Sequence, residues 1–381
     1  MKRSTERILT THAGSLARPD DLRDLLVAKD EGRAHDAAAL AARVRAAVAE
    51  VVGQQVAVGL DIVNDGEESK RNFTTYARER LGGVEERTLA PGERVLAMIY
   101  GRDAREFPQY FAGRGNLAGR EAVCRGPLTY VGHAALGADI ANFEAALSGV
   151  SVTETFLPAV APGTIEHWLR NAHYPTDEAY LAAIADAMKV EYDTIVGAGF
   201  LLQIDDPDLA DGWQIHPEMS VADYRKFAAL RIEALNHALR DIPAERVRFH
   251  VCWGSYHGPH KHDLPLRDLV DLVLAVRAQG YSIEASNPRH DHEWRVWQDV
   301  KLPDGKILIP GVVGHASDFV EHPELVAERL VRYARLVGRE NVIAGTDCGL
   351  GPRVGHPKIA WAKFESLVEG ARLATWQLWG H

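Results

Sequence analysis

Residues 247–252 read VRFHVC, a short run of apolar and β-branched residues that ends on a histidine and a cysteine two positions apart. Side chains alternate along a strand, so His250 and Cys252 would share one face at its C-terminal end. Seven more runs of this kind surround it: ILTTHAGS (8–15), LDIVND (60–65), VSVTETF (150–156), FLLQIDD (200–206), YSIEAS (281–286), ILIPGVV (307–313) and NVIAGTDC (341–348). Between them lie Ala-rich amphipathic stretches such as AAALAARVRAAVAEVVGQQVAVG (37–59) and YLAAIADAMKVEYDTIVGAG (180–199), closed by glycine as helices commonly are. Eight strands alternating with helices predict an α/β fold, a (β/α)8 TIM barrel.

The gap between the second and third runs is too long for one helix. It holds further short runs, LAMIYG (96–101) and AVCRGPLTYV (122–131), so an inserted hairpin over roughly residues 84–130 is expected to cover part of the barrel mouth. No Ser/Gly/Pro linker, low-complexity tract or repeat beyond the βα alternation marks a boundary, which makes residues 1–381 a single expected domain. Hydrophobic residues form 46% of the chain and charged residues 25%, a composition that folds and buries a core.

A formal net charge of -10, with no basic run, repels nucleic acid and anionic membranes and favours a small-molecule partner. The opening MKRSTERILTTHAGS lacks the apolar stretch of a signal peptide, and no window approaches a membrane span, so the expected location is cytoplasmic. Three cysteines, Cys124, Cys252 and Cys348, are too few for a disulfide framework and point to metal binding or thiol chemistry. A homo-oligomer is compatible with the sequence, which does not fix the oligomeric state.

In an α/β barrel, functional side chains gather at the C-terminal ends of the strands. There the sequence places His250 and Cys252 on the fifth strand, Glu284 on the sixth and Cys348 on the eighth. Singly, a strand cysteine is usually a small buried hydrophobe and a strand histidine a satisfied core group. Jointly they form an N, S, O, S set suited to Zn2+. Because Cys252 and Cys348 are remote in sequence, barrel closure must unite them, which favours a catalytic over a structural site.

These residues resemble the cobalamin-independent methionine synthases in their short, single-barrel form, and the resemblance spans essentially the whole chain. That family holds catalytic zinc with an H-x-C pair, a later Glu in an I-E-x-S context and a Cys in D-C-G-L. Here they read HVC (250–252), SIEAS (282–286) and TDCGL (346–350). TTHAGSLARP (10–19) is similar to the family's thiol-substrate loop, DGEESKRNFTTY (65–76) to its second-strand loop and QIDDP (203–207) to its I-D-E-P segment. The resemblance implies that Ser15, Glu67 and Asp205 bind the amino-acid end of a homocysteine-like thiol. It also implies a donor-stacking role for Trp168 in APGTIEHW (161–168), although the family's Gly-Pro order is reversed there. His315, in IPGVVGHAS (309–317), stands one residue out of register with the family's catalytic acid, whose role it is expected to take.

Two enzyme readings follow from the resemblance. One is methyl transfer from a methylfolate-like donor to homocysteine, making methionine. The alternative is alkyl transfer of the epoxyalkane:coenzyme M transferase type, in which an epoxide is the donor and the thiol bears a sulfonate. A zinc-binding barrel without catalysis is the third, non-enzyme reading. The acids Glu67 and Asp205 suit an ammonium-bearing thiol, whereas a sulfonate would draw on cations such as Arg18 and Lys70. Zinc deprotonates a coordinated thiol, and Glu284, the hardest of the four ligands, is the one expected to yield to it. Two flanking segments, SYHGPHKHDL (255–264) with His257, His260 and His262, and NPRHDHEWRVW (287–297), are expected to be a solvated lid loop and a substrate-side loop.

Overall fold

A computed structural model describes residues 1–90, 93, 101–112, 120–351 and 353–380. Most of the LAMIYG run, residues 96–100, lies outside them. The strands in chain order are β1 (Leu9–Thr10), β2 (Ile62–Val63), β3 (Leu81–Thr88), β4 (Arg120–Tyr130), β5 (Glu154–Val160), β6 (Leu169–Asn171), β7 (Leu201–Asp205), β8 (Val247–Val251), β9 (Gly280–Glu284), β10 (Ile307–Val313) and β11 (Ile343–Thr346). Eight of them form one sheet in the order β1-β11-β10-β9-β8-β7-β5-β2, all paired parallel. The two ends meet: the Asp61 N–H donates to Thr10 O at 3.2 Å, and Thr11 Oγ1 to Ile62 O at 3.2 Å. The Asp61 carboxylate accepts from the Thr10 N–H at 2.9 Å across the same seam. The expected TIM barrel is therefore present.

All eight sequence runs coincide with barrel strands, and the third is displaced. Residues 150–156 were expected, and the strand runs from Glu154 to Val160 through Pro158. A proline breaks the ladder of a central strand. Here β2 accompanies only Glu154 and Thr155, so the upper half of β5 has no strand on that side. Side chains serve it instead: Lys70 Nζ donates to Pro158 O at 2.9 Å, and Tyr76 Oη accepts from the Val160 N–H at 3.2 Å.

Leu9, Ile62, Phe156, Leu201, Ile307, Ile309 and Ile343 fill the barrel floor, while a larger cluster seals the strands against the helices. The helices begin as their sequences dictate. Asp36 caps Ala37–Val58 by accepting from the Ala38 and Ala39 N–H groups, and Gly59 ends that helix at φ 93°. Thr176 and Ser220 cap Asp177–Gly197 and Val221–Ala238 in the same way.

The inserted hairpin between the second and third barrel strands is β3 paired antiparallel with β4, and β6 extends it to a three-stranded sheet. The short run Leu169-Arg170-Asn171 has no periodicity by which the sequence could announce it. Arg80 anchors the hairpin to the barrel wall. It is buried between Glu191 and Asp139, and Tyr76 and Tyr130 donate to the same Glu191 carboxylate. Farther along the insertion, the helix Gly101–Glu106 lies against the mouth, where Arg102 donates to the Trp213, His216 and Met219 carbonyls. No helix among the described residues is long and apolar enough to cross a membrane.

Candidate metal centre

The alternation of β8 puts Arg248 and His250 inside the barrel, and Cys252 follows one residue past the strand end. Cys348 follows β11 by two residues. Barrel closure unites these segments: donor atoms of His250, Cys252 and Cys348 all lie within 4.8 Å of one another. Ser282, in register with His250 on β9, lies 3.1 Å from its Nδ1. With Nδ1 turned to Ser282, the buried Nε2, which has no hydrogen-bond partner, is the nitrogen free to face the thiols. The Ser255 hydroxyl adds a bond to Cys348 Sγ at 3.0 Å.

The two thiols share a proton. Cys252 donates to Cys348, which holds the Cys252 thiol well above its ordinary pKa and pushes Cys348 well below it, helped by His250 and His315. Two sulfurs and an imidazole nitrogen suit a borderline-soft divalent ion. An orphaned buried nitrogen and a half-ionised thiol pair are what such an ion would satisfy, so the donor set fits zinc.

Glu284 is buried one strand away and does not join this group. Its Oε1 accepts the Trp253 N–H at 3.0 Å and its Oε2 the Asn287 amide at 3.0 Å. A buried N–H left unpaired is costly, and Trp253 directly follows Cys252, so the carboxylate supports the metal-side turn from behind. Asp347 fixes the next turn, accepting from the Ala285 and Ser286 N–H groups at 2.7 and 3.0 Å and from the Ser286 hydroxyl at 2.6 Å.

The expected substrate acids surround the other side. Asp205 ends β7 in register with His250, and burial pushes its pKa up to about 7, with Glu67 and Cys348 adding to the rise and His250 opposing it. Glu67 sits in a left-handed turn at φ 58° and is also raised by burial, against the pull of Lys70 and Arg18. Asp205 feels Glu67, and both carboxylates feel Cys348, which places both beside the His250, Cys252 and Cys348 group. Ser15 abuts the Cys348 loop: its carbonyl accepts the Gly351 N–H at 3.1 Å, and a Cβ on Gly349 would meet Ser15 Cβ at 2.9 Å.

His315 is buried in the loop after β10, near Cys348 and Asp347, and neither of its ring nitrogens has a hydrogen-bond partner. Trp168 ends the helix Pro162–Trp168 after β5, with its indole N–H buried and unpartnered and its ring 5.4 Å from that of His167. His167 is bonded to Asp208, and Asp211, pushed up to about 8 by burial, packs against Gly254 just beyond the Cys252-Trp253 turn.

The 255–264 segment corrects the expectation of a solvated loop. His257 is exposed, but His260 is 5% exposed and stacks on Tyr256 at 4.1 Å. His260 and His290 both bond Asp263 Oδ2, at 2.8 and 3.1 Å, and His290 also bonds Glu293 at 2.9 Å. The insertion helix closes over the segment through charge, its Glu106 pairing with Lys261 and His262. Sequence reading saw only that Gly258 and Pro259 break any regular spacing. It also passed over Gln203, Arg248 and Ser282, each two residues before a site residue and hence on the same strand face, a parity that would have found them.

The chain matches the family described as "Cobalamin-independent synthase, Catalytic domain" over residues 111–372. It is 26% identical to the methionine synthase of Thermococcus kodakarensis over 227 residues, 58% of this chain and 58% of that protein. It is 25% identical to the methionine synthase of Sulfolobus acidocaldarius over 374 residues, 97% of this chain and 93% of that one. Among solved structures, the B12-independent methionine synthase from Shewanella sp. W3-18-1, in complex with selenomethionine, superposes with a TM-score of 0.75 at 18% identity, covering 98% of this chain and all of that one.

Proposed function

Because the chain belongs to the family of the cobalamin-independent synthase catalytic domain, we propose that it is a zinc-dependent thiol S-methyltransferase that converts a homocysteine-like thiol to its S-methyl product. The observation that carries this reading is the meeting of His250, Cys252 and Cys348 beside the buried Glu67 and half-buried Asp205 carboxylates. In the proposal the whole chain, residues 1–381, acts as one catalytic domain.

Zinc held by His250, Cys252 and Cys348, with Glu284 as a fourth, displaceable ligand, would supply a thiol deprotonated at neutral pH. The protein's own residues do the rest. Glu67 and Asp205 face the substrate ammonium, and Ser15 meets its carboxylate. Trp168 stacks on a flat donor such as a methylfolate, while Asp211 accepts from the donor's N–H groups. His315 gives a proton to the donor's leaving nitrogen as the methyl group passes to sulfur, so the bond broken at nitrogen is replaced by N–H.

An amine-bearing thiol is favoured over a sulfonated one. Glu67 and Asp205 suit an ammonium group, while Arg18 Nη2 donates to Glu67 O at 2.7 Å and Lys70 Nζ donates to Pro158 O and lies 4.2 Å over the Tyr76 ring. X-ray absorption on the zinc-loaded protein tests the reading directly. The count of sulfur neighbours should rise by one on adding homocysteine, from the two cysteines to three. A count that stays unchanged at saturation would overturn it.

A further inference from the structure

Two side chains that the mechanism above does not use lie beneath the substrate acids. Gln203 is fully buried on β7, two residues below Asp205, and its amide nitrogen donates to Ala13 O at 2.6 Å and to Asp205 Oδ1 at 2.7 Å. Both partners are acceptors, so the amide's orientation is set and both of its N–H groups are engaged. Arg248, in register with Gln203 on β8, donates to Thr11 Oγ1 and His12 O at 2.9 Å each. The pair reaches across the barrel from β7 and β8 to hold Thr11, His12 and Ala13, three successive residues after β1.

That segment leads straight into the site. Ala13 precedes Gly14, at φ 128°, where a Cβ would meet Glu67 Oε1 at 2.8 Å and Gln203 Nε2 at 3.6 Å. Asn64 donates to the Gly14 carbonyl at 3.2 Å on the Glu67 side. One amide therefore fixes the rotation of the Asp205 carboxylate and also the backbone turn against which Glu67 rests. With Oδ1 occupied by Gln203, Oδ2 of Asp205 is left to accept from a ligand.

We infer that Gln203 is a positioning residue for amine recognition: it ties Asp205 to the Ala13–Ser15 turn so that Asp205 and Glu67 address one ammonium group. The inference rests on the aminothiol reading above. An apolar side chain of equal length would leave the Ala13 carbonyl and Asp205 Oδ1 without a donor, and the carboxylate free to turn.

The test uses the zinc-loaded full chain and two thiols, homocysteine and 4-mercaptobutanoate, which differ only by the amino group. Affinities are measured by calorimetry and zinc content is measured in parallel. Asp205→Asn should weaken homocysteine on the order of 100-fold, as for truncation of a buried charge pair, and the amine-free thiol far less. Gln203→Met, which keeps the volume, should weaken homocysteine roughly 10-fold, change 4-mercaptobutanoate by less than about 2-fold and leave zinc content intact. In the Asp205→Asn background, Gln203→Met should add almost nothing, because its effect passes through that carboxylate. Gln203→Asn, too short to span both acceptors, should show the same pattern more weakly and keeps the test available if the Met variant does not fold.

Equal loss for both thiols, or a full additional loss in the double variant, would overturn the role of Gln203 while leaving the aminothiol reading in place. Failure of Asp205→Asn to discriminate the two thiols would overturn that reading and this inference with it.

Discussion

The ends of β8 and β9 run side by side, paired in register from Arg248 with Gly280 to Val251 with Ile283, yet their terminal side chains are held in opposite ways. β8 delivers His250 and Cys252 into a group with Cys348, where Nε2 has no hydrogen-bond partner and the two thiols are hydrogen-bonded to each other. β9 delivers Glu284 to backbone and amide donors, with no such open valence. The difference follows from donor chemistry. A thiol is a weak hydrogen-bond partner that tolerates being left near other sulfurs, whereas a buried carboxylate collects N–H donors wherever it can. The sulfur and imidazole group is therefore assembled by the fold alone, whereas Glu284 is held on a latch from which the proposed zinc ligation would require it to turn.

Removing one member from each side breaks this comparison most directly. Cys252→Ser or Cys348→Ser should lower zinc affinity by at least about 100-fold and release most of the metal to a weak chelator, since the loss of one thiolate leaves too few donors. Glu284→Gln should retain zinc better than either, because its amide can still accept the Trp253 N–H and its place among the ligands is the most readily taken by water. Metal content after dialysis decides the matter: Glu284→Gln losing zinc as completely as the cysteine variants would mean that the carboxylate holds the ion as firmly as the thiolates and is not the displaceable ligand.

Behind the latch, Trp253 stacks at 4.0 Å on His290, which shares Asp263 with His260. Burial would lower both histidines, but Asp263 outweighs it at each, helped by the Tyr256 carbonyl at His260 and by Glu293 at His290, and raises His260 to about 9 and His290 to about 10. A raised histidine contributes stability that is fully present below its unfolded pKa, near 6.5, and is lost as pH rises through the folded value. The wild type should therefore lose stability steadily from about pH 6.5 to about 10. Asp263→Asn should cost about 2 to 4 kcal/mol at neutral pH and flatten that alkaline decline. Thermal melts across this range check it, and an Asp263→Asn slope equal to wild type would show that the network is not charged. Zinc affinity measured on the same variant sharpens the comparison: it should hold if the β9 side is only a frame.

The fold and the shared face of His250 and Cys252 were legible in sequence for the same reason, the two-residue period of strands. It marked eight runs and placed His250 and Cys252 on one face. The third strand slipped by four residues because Val150, Val152 and Thr153 mimic a strand, while Pro158 disguises the real one. The orientation of Glu284 was not legible, since it depends on the Trp253 N–H and Asn287, neighbours that only folding supplies. The same holds for the buried His260, whose exposure depends on Asp263 and on an insertion helix some 150 residues earlier in the chain.

The smallest expected effect concerns the third cysteine and asks whether the site's chemistry comes from residue type or from placement. Cys124 is as deeply buried as Cys252, but it lies on β4 of the hairpin, where its thiol donates to Gly126 O at 3.4 Å and burial raises its pKa. It belongs to no group of three metal-capable side chains among the described residues, and burial outweighs the Gly126 carbonyl in disfavouring a thiolate there. Cys124→Ser should leave zinc content unchanged and cost about 1 kcal/mol or less, since the smaller hydroxyl keeps a donor for the Gly126 carbonyl. With zinc removed by chelator, a thiol-specific alkylating reagent should modify Cys348 first, because its sulfur already carries the negative charge of the shared pair, and Cys124 last. Peptide mapping of the alkylated sites gives the order. Early modification of Cys124, or zinc loss on its replacement, would mean that the hairpin opens toward the mouth far enough to take part in the site, and the contrast between β8 and the rest of the molecule would have to be redrawn.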